Sequence, residues 1–216
     1  MANLFETRRD FLKNAGLTVL SLPILIGCKS NTLAQTESEI LRRLKQKALP
    51  TGGEWSGAID APANVSWKTA LAAADDPGER MVISGTVFLA DGKTPAPNTL
   101  IYFYHTDVNG IYGRAGQHRH GKYRGWMLTD ERGRYEFSSI RPASYPNSTQ
   151  SQHVHMTVTT LDQKEDWIDS ILFEGDRFLT SRERETAGAK GGFFPIVKLT
   201  KGANGVMAAT RDIKLG

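Results

Sequence analysis

At 216 residues, 39% hydrophobic and 23% charged, the chain can bury a full core as one globular domain, and its composition excludes a disordered or fibrous protein. A formal net charge of +4, with no basic stripe interleaved with aromatics, argues against a nucleic-acid partner. Cys28 is the single cysteine, so no intramolecular disulfide can form.

The chain opens with Thr7-Arg8-Arg9-Asp10-Phe11-Leu12-Lys13, an apolar run from Leu17 to Ile26, and then Leu25-Ile26-Gly27-Cys28. The run is shorter than the roughly 20 residues that span a bilayer, so residues 1–27 are expected to be an export signal and not part of the fold. The twin arginines resemble a Tat signal, and Leu-Ile-Gly-Cys resembles a bacterial lipobox. Those resemblances imply a lipoprotein of the bacterial cell envelope facing the periplasm. Cys28 would be its lipidated first residue, and the lipid its only contact with the membrane. The Tat route carries folded proteins, so a cofactor would be loaded before export.

Residues 28–80 read as a tether, a short helix and a loop. Thr36 and Glu39 form a capping-box pattern opening a basic helix with Ile40, Leu41, Leu44 and Leu49 on one stripe, ending near Pro50. From Thr51 to Arg80 the Gly, Pro, Asp and Ala content predicts loop, with a short helix near 67–74.

From residue 81 the pattern becomes strands between turns. Strands are predicted over 82–88, 99–104, 126–129, 135–138, 153–158, 168–173, 194–199 and 206–215, with turns at Ala90-Asp91-Gly92-Lys93 and Asp130-Glu131-Arg132-Gly133. Short strands at this spacing predict an all-β sandwich or barrel occupying 81–216.

All five histidines fall between residues 105 and 155. His153 and His155 sit one residue apart in Ser-Gln-His-Val-His-Met-Thr-Val, so on a strand they share a face with Cα atoms roughly 6–7 Å apart, while Val154 and Met156 face a core. Such a pair serves either hydrogen bonding or one metal ion. A basic cluster, Arg114, His118, Arg119, His120, Lys122 and Arg124, is either a solvated loop or an attractor for an anionic ligand. Phe103, Tyr123 and Trp126 read as core or pocket wall.

Five segments in order carry a resemblance: Thr106-Asp107 to Gly110-x-Tyr112, Leu128-Thr129-Asp130 to Gly133-x-Tyr135-x-Phe137, Ile140-x-Pro142-x-x-Tyr145-Pro146, His153-x-His155, and Phe173-Glu174-Gly175-Asp176. Over about residues 81–180 the chain resembles the intradiol ring-cleavage dioxygenases, the family of catechol and protocatechuate dioxygenases. The resemblance implies an intradiol dioxygenase-like β-sandwich with a short N-terminal helix. It also implies a non-haem Fe(III) held by Tyr112, Tyr145, His153 and His155, and O2-dependent opening of a small aromatic diol to a muconate-type diacid. Phenolate oxygens favour a trivalent ion, and such an ion favours phenolate over phenol. Tyr145 would leave the metal and accept a substrate proton, and Arg114 and Arg124 are candidate substrate-binding residues. Members of the family commonly assemble, so a homo-oligomer is compatible with the resemblance.

The family's Arg three residues before the first metal histidine, thought to stabilise charge on bound substrate, is replaced here by Gln150, which inherits that catalytic position. Ser170 stands where the family often has Gln. Arg114, Lys122, Arg124 and Arg141 are the candidates to supply the missing charge. Two other readings stay open. One is a non-catalytic envelope-anchored binding module like transthyretin or carboxypeptidase-regulatory sandwiches, with Tyr145 merely packed. The other is an all-histidine zinc or copper site built from His118, His120, His153 and His155.

Overall fold

The structure, a computed structural model, describes residues 39–49, 57–113 and 118–216. The export signal, Cys28 and Arg114 lie outside the described residues. In chain order the elements are helical residues 39–45 (α1), a single 3-10 turn at Ala58–Asp60, then β1 (Lys68–Ala70), β2 (Arg80–Phe88), β3 (Leu100–Tyr104) and β4 (Arg124–Leu128). They continue through β5 (Arg134–Ile140), β6 (His153–Thr159), β7 (Asp166–Phe173), α2 (Ser181–Thr186), β8 (Ile196–Val197), β9 (Thr200–Lys201), β10 (Met207–Thr210) and β11 (Ile213–Lys214).

These strands form two sheets. One has the order β1-β5-β2-β10-β9, with β11 also paired to β2; the other is β4-β3-β6-β7-β8. Alternation along each strand decides what lies between them. Met81, Ile83 and Val87 of β2 and Tyr135 and Phe137 of β5 meet Ile101 and Phe103 of β3 and Val154, Met156 and Val158 of β6. Phe103 and Phe137 touch across this core with ring centroids 4.2 Å apart.

The opposite phase of the same alternation puts His153, His155 and Thr157 on the outer face of the second sheet, beside Tyr102 and Tyr104 of β3, with Tyr104 paired in register to His155. That face is buried as well, which is why all five residues of β3 are inaccessible to solvent. Part of its cover is the expected helix: Leu41 and Leu44 of α1 pack with Ala58, Ala61, Leu100 and Leu128 in a second apolar cluster.

Four stretches differ from the sequence expectation. Residues 67–74 contain no helix. Lys68–Ala70 pairs in parallel with the otherwise open edge of β5, and Trp67 lies under the cations of Lys68 and Arg134, so tertiary pairing overrides local composition and carries the sandwich ahead of residue 81. α2 was not expected, although its capping box of Thr180 and Glu183 stands in the sequence. The strand expected over 194–199 shortens to Ile196–Val197, because Gly191, Gly192 and Phe193 all turn through positive φ just before it. The last strand splits into β10 and β11 at the buried Arg211, whose guanidinium donates to the carbonyls of Gly192 and Asp212.

Candidate metal centre

The two tyrosines are delivered by loops that are stitched to each other. In the turn after β3, Asp107 Oδ1 accepts the backbone N–H of Asn109 at 2.8 Å and of Ile111 at 3.0 Å, which curls the chain back toward the sheet. Gly110 sits at φ 77°, and a Cβ there would meet Ser144 O at 2.0 Å, so only glycine lets this turn lie against the second loop. The second loop is tied back by Ala143 N–H to Asp107 O at 3.1 Å and by Thr106 Oγ1 to Ala143 O at 2.6 Å. Tyr112 and Tyr145 thereby face each other with their hydroxyls in contact.

Both meet the histidines of β6. Tyr145 Oη is 3.1 Å from His153 Nε2 and 3.4 Å from His155 Nε2, and the two Nε2 atoms are 3.0 Å apart. His153 Nδ1 lies 2.6 Å from Ser151 O, a carbonyl that can only accept, so Nδ1 carries the proton and Nε2 presents its lone pair. Burial pushes the His155 imidazole down to about 3 and also lowers His153, so both rings are neutral, while burial raises the phenols of Tyr112 and Tyr145. Four donor atoms thus gather around the Tyr145 hydroxyl, and with the His155 proton on Nδ1, toward Ser170 Oγ, only two hydroxyl protons lie among them. Lone pairs facing each other at these distances form a cradle that a cation relieves, and its charge would draw off the phenolic protons.

Among the described residues no three of His, Cys, Asp and Glu are placed to hold a metal, so the donor set depends on its tyrosines. The all-histidine arrangement fails for a visible reason. The Tyr104 ring lies between His120, stacked on it at 3.8 Å, and His155, stacked at 4.7 Å, and keeps the two histidine pairs apart.

Cavities flank the donors on two sides. One of about 510 Å³ is walled by Tyr104, Tyr112, Tyr145, His155 and Trp167, with Arg119 and His120 at its loop side. The other, about 210 Å³, brings Gln150 beside His153 and His155 together with Asp169, Ser170 and Glu183. The register between β6 and β7 shifts between Val154 and Met156, opposite His155. The irregularity turns Asp169 and Ser170 toward the second cavity, and Ser170 Oγ comes within 3.3 Å of His155 Nδ1. α2 buttresses the same side, since Ser151 Oγ donates to the Glu183 carboxylate at 2.7 Å while Ser151 O holds His153.

The structure therefore brings Tyr112, Tyr145, His153 and His155 together and sets Gln150 next to them. Arg124, expected to bind substrate, is directed elsewhere: its guanidinium donates to Gly121 O at 3.0 Å and lies over Trp126, outside both cavities. Tyr104, Trp167 and Arg119 were not singled out as site residues. The signal for Tyr104 is its phase on β3, which matches that of the histidines on β6. His105, the fifth histidine, is structural, with Nδ1 on Thr106 O and Nε2 on Ser139 Oγ, both at 2.7 Å.

A family model described as Dioxygenase matches residues 58–190, more than half of the chain. The catechol 1,2-dioxygenase of Acinetobacter baylyi is 33% identical over 88 residues, which are 39% of this chain and 28% of that protein. The beta chain of protocatechuate 3,4-dioxygenase from Burkholderia cepacia is 29% identical over 149 residues, covering 63% and 62% respectively. The chain thus spans less than two thirds of the length of these relatives. Among solved structures, a dioxygenase domain from a cellulolytic Streptomyces superposes with a TM-score of 0.55 at 21% identity, over 78% of this chain and 96% of that one. Catechol 1,2-dioxygenase from an Acinetobacter gives 0.56 at 23% identity, over 72% and 58%. At these identities the superpositions establish a shared fold.

Proposed function

We propose, because the chain belongs to the intradiol dioxygenase family, that it is a non-haem iron enzyme that uses O2 to open a catechol-type diol between its hydroxyl-bearing carbons, giving a muconate-type diacid. The observation that carries this is the meeting of Tyr145 Oη with Tyr112 Oη, His153 Nε2 and His155 Nε2, beside an aromatic cavity that Tyr112, Tyr145 and His155 help to wall. Two phenolates and two neutral imidazoles suit a ferric ion, which when bound would supply the Lewis acidity that binds the diol and readies it for O2.

The chain's own residues divide the remaining work. Tyr112 follows the turn that Asp107 closes, and His153 is held by Ser151 O. Tyr145 Oη contacts all three other donors, which supports its reading as the acceptor of a proton from an entering diol hydroxyl. Tyr104 and Trp167, in edge contact at 6.2 Å, wall the cavity with apolar faces that exclude water from the ring. The purified protein is expected to be red-brown, to carry iron in a ratio to chain near unity, and to consume O2 when catechols are added. A spectral shift without O2 uptake would keep the metal and overturn ring cleavage. A colourless, metal-free protein would favour the binding module.

We propose also that the protein is exported and anchored through Cys28, which rests on Arg8-Arg9 and on Leu25-Ile26-Gly27-Cys28. No described helix is long and apolar enough to cross a membrane. Cys28→Ala should abolish palmitate labelling and leave the signal uncleaved; labelling that survives the substitution rules the anchor out.

A further inference from the structure

Among the described residues five large apolar side chains stand exposed, and three of them fall on one edge of the sandwich: Leu89 at 44%, Phe193 at 44% and Phe194 at 55%. The Phe193 ring rests edge-on against Phe88, with centroids 5.8 Å apart. Its tip is 3.9 Å from where a Cβ on Gly92 would stand, in the turn whose Gly92 N–H donates to Leu89 O. Phe193 holds φ at 42°, a region that bulky residues rarely adopt, so the backbone is strained at the point where two aromatic rings meet water. Packing within the domain does not call for that geometry, and a surface that takes up the rings does.

Cations flank the rings. The stem of Lys214 fits between Gly92 and Gly192, its Cδ 3.3 Å from a Cβ at the first and its Cβ 2.7 Å from one at the second, and Lys93 is exposed in the same turn. Among the described residues neither ammonium has a carboxylate partner. Two nearby acids are engaged elsewhere. Asp91 accepts from the N–H groups of Lys93 and Thr94, both at 2.8 Å, and Asp166 pairs with Lys190 at 3.1 Å.

We infer that this edge docks the domain on an anionic lipid bilayer, with Leu89, Phe193 and Phe194 entering the headgroup region and Lys93 and Lys214 meeting lipid phosphates. Exposed aromatics bordered by unpaired lysines are the chemistry of an interfacial contact with charged lipid. The choice of a bilayer over a protein partner rests on the reading of Cys28 as an anchor. Cys28 precedes Glu39, the first described residue, by eleven positions, so an acyl group there keeps Glu39 within at most about 40 Å of the membrane. At that tethered concentration a weak second contact is engaged, and the acyl group is then not the only attachment.

The test is flotation of the chain from residue 28, which holds every described residue, carrying Cys28→Ser so that no acyl group contributes. Vesicles of phosphatidylglycerol and phosphatidylcholine in equal parts should bind it at least about tenfold more tightly than phosphatidylcholine alone, since each lysine at a charged surface contributes measurably. Phe193→Asn combined with Phe194→Ser should weaken that binding at least about tenfold, the scale of two half-exposed aromatics, and asparagine tolerates the positive φ. A matching thermal midpoint shows that this variant is folded. Lys93→Gln with Lys214→Gln should remove most of the preference for the charged vesicles. Ile59→Ser, which alters an exposed apolar residue in the turn at Ala58–Asp60, should leave binding intact. No flotation of the unaltered chain, equal flotation with both vesicle types, or flotation that survives the double phenylalanine change would overturn the assignment. Self-association that the phenylalanine change abolishes, without flotation, would overturn it in favour of a second copy of the chain. Palmitate labelling separates the two claims. Flotation of the unacylated chain without labelling in cells keeps the docking edge and removes the anchor, and labelling without flotation does the reverse.

Discussion

Tyr145→Phe is expected to lower ring cleavage at least about 100-fold, the usual scale for losing a positioned proton acceptor, and to remove much of the visible absorption while the thermal midpoint barely moves. The substitution deletes one oxygen and keeps the ring, so the packing of the 141–146 loop against Asp107 and Gly110 persists. What disappears is the atom that touches Tyr112 Oη and both Nε2 atoms, and with it a negative ligand and the proton acceptor. Iron should remain, bound more weakly by Tyr112, His153 and His155. Tyr112→Phe is the informative companion. It removes a ligand whose hydroxyl touches Tyr145 alone among these donors, so colour and metal content should fall while the approach of Tyr145 to the histidines survives. Unchanged colour and iron content in Tyr145→Phe would exclude Tyr145 as a ligand. A fully active but paler variant would keep the ligand role and discard the proton transfer.

What could be read from the sequence follows how local each signal is. Alternation in His153-Val-His-Met-Thr-Val is carried by neighbours in the chain, so it correctly set the histidines on one face and Val154 and Met156 in the core. Tyr112 and Tyr145 lie in loops, where no periodicity speaks for them, and only the resemblance placed them with the histidines. The basic cluster was legible as a cluster, yet which of its members faces the cavity depends on long-range partners. Lys122 is drawn off by Asp76, 46 residues away and without a signature in the local sequence, and only Arg124, turned to Gly121 O three residues back, has a local partner. β1 was missed for the same reason, since Lys68-Thr-Ala becomes a strand only because β5 offers an edge. α2 is the opposite case: its Thr180 to Glu183 capping box was available in the sequence, and its Glu183 turns out to support Ser151 and, through it, His153.

The N-terminal segment depends on Glu165 more than on its own helix, and Glu165→Ala is expected to lower the unfolding free energy by roughly 4 kcal/mol, the cost of leaving several buried donors unpaired. Glu165 is 1% exposed and accepts from Gly57 N–H at 2.8 Å, Ala58 N–H at 3.1 Å and Thr157 Oγ1 at 2.7 Å, with Leu49 N–H at 3.3 Å on its other oxygen. Its own N–H donates to Lys47 O at 2.9 Å. One side chain therefore clamps the end of the α1 segment and the turn at Ala58–Asp60 onto β6, two residues from His155. The consequence reaches the site through Gly57, whose carbonyl accepts from Trp126 Nε1 at 2.6 Å, and Trp126 backs Tyr102, which in turn packs against Tyr104. Glu165→Gln keeps the shape and one good acceptor, so it should cost about half as much on the scale of neutral against charged hydrogen bonds. Denaturant titration of both variants, with amide exchange over residues 39–61, checks the order and the place of the loss. Exchange there should quicken before the core strands loosen, because α1 holds its buried face with little more than Leu41 and Leu44. A Glu165→Ala variant within about 0.5 kcal/mol of the natural protein, the range of an ordinary surface change, would overturn the clamp and leave the apolar contacts of α1 as its whole attachment.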